Sequence, residues 1–137
     1  MGGEGRERIF LYGTLRRGGS RDVLEHFEGA EFVCAARVRG VLHDLHDYPG
    51  LRLSEFAGWV TGELFDVTAA ALALLDEWEG IDPAAPQAGE YRRIRVSAER
   101  EDGAAETCWI YEIAERNSAN RPVIASGDWL AHDAARR

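Results

Sequence analysis

Three acidic residues near the end of a predicted helix are the first candidates for chemistry. The spacing of apolar residues predicts this helix over residues 68–79, and it carries Asp76, Glu77 and Glu79. Its apolar arc consists of Ala71, Leu72, Leu74, Leu75 and Trp78. At about 100° per residue, Glu79 falls inside this arc, Asp76 lies at its rim and Glu77 faces water. Burial raises the pKa of a carboxyl group, which suits a general base acting near neutral pH. The alternative is a glutamate that frays into solvent, since Gly80 ends the helix.

A glycine-rich loop is the second candidate. It follows residues 9–12, a short apolar run that predicts a buried strand. The loop contains Gly13, Gly18 and Gly19, and a short helix is predicted behind it over residues 21–27. Backbone N–H groups of such a loop and of a helix start can hold a carboxylate or an oxyanion. The spacing differs from that of a phosphate-binding P-loop, and a tight turn without a ligand is the alternative.

Two histidines resemble part of a metal site. On a helix, His43 and His46 would share one face, but the segment Tyr48-Pro49-Gly50 that follows them indicates a turn. The spacing of the other histidines signals no third ligand. We therefore expect a polar turn and no metal, and a metal-dependent hydrolase remains an alternative function.

Three arginines lie close together on a predicted strand, residues 91–98. Arg93 and Arg95 are expected on one face and Arg92 on the other. Since the chain has a surplus of acidic residues, ion pairing is the expected role of this cluster.

The composition excludes several classes of function. The chain has 137 residues, enough for one domain, and its net charge of −8 argues against binding to nucleic acid or to an anionic membrane. All 16 basic residues are arginine, which excludes Schiff-base chemistry, attachment of pyridoxal phosphate and a Walker A lysine. Cys34 and Cys108 lie far apart and form no CxxC motif.

The predicted elements favour an α+β fold in a single domain, residues 8–137. Residues 1–7 are expected to be a disordered leader, without the apolar core of a secretory signal, so a cytoplasmic location is expected. Strands are predicted over residues 9–12, 32–42, 51–53, 59–65, 91–98 and 107–113, with a last helical turn near residues 129–135. Helices do not alternate regularly with strands, which indicates a small mixed β-barrel or curled sheet rather than a Rossmann fold.

An ordered set of short motifs resembles one family. The motifs are Tyr12-Gly13-Thr14-Leu15, Tyr48-Pro49-Gly50-Leu51, Leu75-Asp76-Glu77-Trp78-Glu79-Gly80, Tyr91-Arg92-Arg93, Tyr111 and Ser126-Gly127-Asp128-Trp129. Each is weak alone, but together they span residues 9–129 in the right order. The chain thereby resembles the gamma-glutamyl cyclotransferase-like family, and its short bacterial members in particular.

The resemblance implies a small mixed β-barrel flanked by short helices, no cofactor, and release of 5-oxoproline from a small-molecule gamma-glutamyl amine or amide. It maps the family's catalytic acid onto Glu79 and its carboxylate-holding loop onto Tyr12, Gly13, Thr14 and Leu15. Tyr91 and Tyr111 are expected to line the pocket with Tyr12 and to supply hydroxyl donors. A non-catalytic binding module with the same pocket is the alternative. The sequence leaves the leaving amine and the oligomeric state undetermined.

Overall fold

Strands dominate the computed structural model, which describes residues 6–137. The strands are β1 (Arg6–Leu11), β2 (Ala30–Asp44), β3 (Pro49–Leu53), β4 (Trp59–Thr68), β5 (Tyr91–Arg100) and β6 (Ala105–Ile113). The helices are α1 (Val23–His26), α2 (Ala69–Trp78), α3 (Glu115–Ser118) and α4 (Trp129–Ala135). None of the helices in this part of the chain is long and apolar enough to cross a membrane.

Five of the strands close into a barrel. They are hydrogen-bonded in the order β2-β4-β1-β6-β5, and β5 returns to β2 at the pairs Ala36↔Arg100 and Arg37↔Glu99. Strands β1 and β6 are parallel, the other pairs are antiparallel, and β3 extends the sheet from β2. The predicted fold class, a small mixed β-barrel with short helices, is confirmed.

The period-two alternation of β1 separates two apolar clusters. Phe10 and Tyr12 belong to the cluster inside the barrel, which also contains the free thiols of Cys34 and Cys108. Ile9 and Leu11 belong to a second cluster, between the barrel wall and α2. The barrel therefore buries both faces of its first strand, and α2 is fixed against the outer face.

Helix α2 begins and ends close to its predicted bounds. The side chain of Thr68 caps the helix by accepting a hydrogen bond from the amide of Ala71 at 3.1 Å. Leu75 is fully buried, as predicted, but Leu74 is 51% exposed and Trp78 39% exposed. The apolar arc is narrower than predicted because α2 contacts the barrel along one side only.

Two sequence predictions near the start of the chain need correction. The leader was predicted over residues 1–7, but Arg6 and Glu7 pair with β4 as part of β1, while residues 1–5 lie outside the described residues. The first helix covers only Val23–His26. It is capped by Asp22, whose carboxylate accepts hydrogen bonds from the amides of Gly18 and Leu24.

The predicted ion pairing of the β5 arginines is confirmed. Arg92, Arg93 and Arg95 pair with Glu112 at 2.8 Å, Asp76 at 2.8 Å and Glu7 at 3.8 Å, respectively. The cluster therefore joins β5 to β6, α2 and β1.

Candidate active site

A cavity of about 290 Å³ lies at one end of the barrel. The carboxyl ends of the parallel strands β1 and β6 meet at this end, and the antiparallel strand β5 begins there. All of the predicted site residues line the cavity: Tyr12, Gly13, Thr14, Leu15, Glu79, Tyr91 and Tyr111. The topology therefore brings together groups that are far apart in the sequence.

Glu79 is held at the cavity by the way α2 ends. It is the C-cap residue, and Gly80 follows with φ of 74°, in the left-handed region that favours glycine. The amide of Gly80 donates to the carbonyl of Glu77, and that of Ile81 donates to the carbonyl of Asp76. These two bonds form a Schellman motif, which fixes the chain direction after a helix. The end of the helix is therefore ordered, and the side chain of Glu79 faces the cavity rather than bulk water.

The surroundings of Glu79 favour its neutral form. Burial raises the pKa of its carboxyl group to about 7, and the nearby carboxylates of Glu90 and Asp76 act in the same direction. The guanidinium of Arg21 acts against them. In contrast, Glu77 is exposed, as the helical periodicity predicts. Of the three acidic residues near the end of α2, Glu79 is therefore the one that lines the cavity, and its pKa lies near neutrality.

The loop after β1 forms another wall of the cavity. The carbonyls of Gly13, Thr14 and Leu15 accept hydrogen bonds from Arg16, Arg21 and Val23. Among the described residues, no protein acceptor is hydrogen-bonded to the amides of Gly13, Thr14 or Leu15. These N–H groups are therefore candidates to donate hydrogen bonds to an anion in the cavity.

The amides of α1 do not contribute to such an anion site, contrary to the sequence hypothesis. Val23 donates to the carbonyl of Leu15, and Leu24 donates to the carboxylate of Asp22. Protein acceptors therefore already satisfy these donors.

Gly13 has a structural reason of its own to be glycine. A Cβ atom at this position would lie 2.8 Å from Cγ of Pro49, closer than such contacts normally are. The ring of Pro49 packs over the loop and lines the same cavity. The small residue therefore permits contact between the loop and β3, in addition to keeping space for a ligand.

The tyrosines line the cavity, but their hydroxyl hydrogens already have acceptors. Tyr12 donates to the carbonyl of Tyr111 at 2.7 Å, Tyr91 to that of Pro49 at 2.6 Å, and Tyr111 to the carboxylate of Asp76 at 2.8 Å. Burial raises the pKa of all three hydroxyls well above the usual range of tyrosine. The structure therefore corrects the expectation that they supply free hydroxyl donors: their rings form the walls, and their hydroxyls hold the walls in place.

Tyr12→Phe is expected to lower stability more than activity. The hydroxyl of Tyr12 also accepts a hydrogen bond from the buried amide of Leu51 at 3.2 Å, so its loss leaves a buried donor and a buried carbonyl without partners. We expect the free energy of unfolding to fall by about 1–3 kcal/mol. Urea denaturation measures this change, and turnover is compared at a temperature where both proteins are folded. A variant that is as stable as the wild type but inactive would place this hydroxyl in the chemistry.

Three further polar side chains at the cavity were not predicted. Arg21 and Glu90 line it, as does Tyr48, whose hydroxyl lies 2.9 Å from a carboxylate oxygen of Glu90. The motif around Tyr48-Pro49-Gly50 was a signal for Tyr48, and Glu90 directly precedes Tyr91. Nothing in the local sequence indicated Arg21.

The histidines of the predicted polar turn lie elsewhere. The ring of His43 contacts the carbonyl of Arg121 at 3.1 Å, and His46 is exposed. Neither residue lines the cavity, so the structure gives no support to the hydrolase alternative that used them.

The fold is a closed mixed β-barrel with a carboxyl group facing a cavity at one end. Comparison with known proteins identifies the family to which it belongs. The family model described as "Gamma-glutamyl cyclotransferase, AIG2-like" matches residues 9–131. A relative from Vibrio cholerae, "Putative gamma-glutamylcyclotransferase", is 34% identical over 121 residues, which are 88% of this chain and 93% of the relative.

Solved structures agree in fold. An AIG2-like protein from Mus musculus superposes with a TM-score of 0.67 at 26% identity, over 88% of this chain and 86% of that one. YkqA from Bacillus subtilis gives a TM-score of 0.73 at 22% identity, and the match covers 96% of this chain but 42% of that longer one. The chain belongs to the gamma-glutamyl cyclotransferase, AIG2-like family, and the resemblance found in the sequence is confirmed. Its relatives support a cyclotransferase-like enzyme.

Proposed function

We propose that the protein releases 5-oxoproline and a free amine from small-molecule γ-glutamyl amines or amides. The α-amine nitrogen of the substrate forms a bond to its own γ-carbonyl carbon, and the bond from that carbon to the leaving nitrogen breaks. Because both reacting groups belong to one molecule, the main task of the cavity is to hold the folded conformation. No cofactor enters this balance.

Glu79 is the proposed general acid/base. Its carboxylate takes a proton from the α-amine, which must be neutral to attack, and returns that proton to the leaving nitrogen. A pKa of about 7 lets the group exchange a proton in both directions near neutral pH. The position of this carboxyl group at the cavity is the observation that carries the proposal.

The amides of Gly13, Thr14 and Leu15 are proposed to bind the negative charges of the substrate. In the ground state this charge is the α-carboxylate. As the amine attacks, negative charge also develops on the γ-carbonyl oxygen, and amide donors stabilise it without reorganising. The absence of competing acceptors for these amides within residues 6–137 supports this role.

A screen of γ-glutamyl amines and amides tests the proposal. Purified protein is incubated with each compound, and 5-oxoproline and the free amine are measured together. Equal amounts of both products are expected from at least one compound. Binding of such compounds without release of 5-oxoproline would instead indicate a non-catalytic binding module, and would contradict the proposal.

The rate is expected to depend on pH through Glu79. Below a pKa of about 7 the carboxyl group is protonated and cannot accept the proton of the amine. Therefore kcat/KM should fall about tenfold for each pH unit well below the pKa, and about 50-fold from pH 7 to pH 5. Circular dichroism at each pH checks that the protein stays folded. An acidic limb centred near pH 4.5, the ordinary value for a glutamate, would contradict the assignment.

A further inference from the structure

Arg21 is a cation at the cavity whose guanidinium has no acceptor in the described part of the chain. Every other arginine except Arg121 donates to a carbonyl or lies within ion-pair distance of a carboxylate among residues 6–137. Of these two, only Arg21 lines the cavity that contains Glu79. Arg21 is therefore an arginine without a protein acceptor among residues 6–137, at the cavity where a substrate is proposed to bind.

The fold places Arg21 next to the loop that follows β1. Its backbone amide donates to the carbonyl of Thr14 at 2.9 Å, so the chain folds back onto the loop at this point. Its guanidinium carbon lies 5.4 Å from the ring centroid of Trp78, which directly precedes Glu79. This distance is within the range of a cation–π contact, which orients the side chain over the end of α2.

The charges around the cavity leave Arg21 as a cation that can pair with an anionic group of a ligand. Glu79 and Glu90 are the carboxyl groups that line the cavity, and Glu90 is held by the hydroxyl of Tyr48. Arg21 lies near enough to Glu79 to oppose the rise in its pKa, but it forms no ion pair with either carboxylate. Its charge is therefore free to meet a substrate.

We propose that Arg21 binds the α-carboxylate of the γ-glutamyl substrate, together with the amides of residues 13–15. This inference rests on the proposed function. The α-amine and the α-carboxylate share one carbon atom, so an amine that contacts Glu79 brings the carboxylate within reach of a cation beside Glu79. The contribution of an exposed guanidinium at a cavity mouth to the free energy of binding lies between that of a surface ion pair and that of a buried hydrogen bond to a charged group. We therefore expect about a tenfold effect on affinity.

The test compares substrates with and without the α-carboxylate. A γ-glutamyl methylamide carries this group, whereas the 4-aminobutyryl methylamide lacks it and can still cyclise, giving 2-pyrrolidinone. Arg21→Met should raise KM about tenfold for the first compound, with kcat changed much less, and leave KM for the second unchanged. Arg21→Lys should restore part of the loss. Equal effects on both compounds would overturn the proposal.

Arg17→Met is the matched control. Arg17 lies in the same loop, but its guanidinium packs over Phe32 at 3.4 Å, lies 3.8 Å from Glu63 and does not line the cavity. Its replacement should leave KM for both compounds unchanged. γ-Glutamylglycine carries a second carboxylate on the leaving amine, and a loss on Arg21→Met confined to this compound would assign Arg21 to the leaving group and overturn the proposal.

Binding of the product separates this inference from the proposed function. 5-Oxoproline keeps the α-carboxylate and 2-pyrrolidinone lacks it, so calorimetry with these two ligands needs no turnover. We expect the wild type to prefer 5-oxoproline and Arg21→Met to lose about tenfold of that preference. Equal binding of the two ligands to the wild type, no binding of 5-oxoproline, or an undiminished preference in the variant would each overturn the role of Arg21, whatever the screen for activity shows.

Discussion

Glu79→Gln is expected to reduce the chemical step by ~10²–10⁴-fold, the usual loss when a general base is removed. Glutamine has nearly the same size as glutamate, and Gly80 fixes the end of α2 through backbone bonds that this change does not touch. The amide cannot accept the proton of the attacking amine. KM should change much less than kcat, since the proposed carboxylate contacts lie on the loop after β1 and on Arg21. Single-turnover release of 5-oxoproline from a confirmed substrate measures the effect.

Glu77→Gln is the control for that variant. It makes the same chemical change two residues earlier on the same helix, at an exposed side chain. Its turnover should equal that of the wild type. Wild-type turnover by Glu79→Gln, or an inactive Glu77→Gln, would remove the proposed base from the mechanism.

The sequence predicted the position of Glu79 because helical periodicity is a local property. The arc of α2 is set by residues spaced three and four apart, and Gly80 signals where the helix ends. The barrel was predictable in class from the number of short strands and from the motif order. Its closure between β2 and β5 was not, because strand pairing across the chain leaves no mark in a single sequence.

The rest of the candidate site depends on contacts between distant segments. The sequence indicated the tyrosines but not their bonds: Tyr12 reaches the carbonyl of Tyr111, at a separation of 99 residues. Arg21 has an unremarkable local sequence, and its place at the cavity depends on the bond from its amide to Thr14 and on the contact of its guanidinium with Trp78. Sequence patterns thus located residues that are oriented by their own helix or loop. They did not predict which side chains are hydrogen-bonded or lie at the cavity through contacts between distant segments.

Glu79→Gln is also expected to make the protein more stable at alkaline pH. The structure holds the carboxyl group where its pKa is about 7 rather than 4.5, so ionising it in the folded state costs more than in the unfolded chain. A shift of this size corresponds to about 3 kcal/mol at 1.36 kcal/mol per pKa unit. Glutamine resembles the protonated carboxyl group and avoids this cost. The carboxyl group that the proposed activity requires at position 79 therefore lowers the free energy of unfolding at alkaline pH.

The pH window of this effect follows from proton binding. Between pH 4.5 and 7 the folded state binds more protons at Glu79 than the unfolded state, so the free energy of unfolding of the wild type falls as pH rises. The variant lacks this contribution, and urea denaturation should show no difference at pH 4 and a gain of up to about 3 kcal/mol above pH 8. Removing any negative charge from a chain of net charge −8 relieves some repulsion, and Glu77→Gln measures that part alone. If the two variants gain equally, the carboxyl group of Glu79 is not held in an unfavourable environment, and the physical basis for its role as a base near neutral pH is lost.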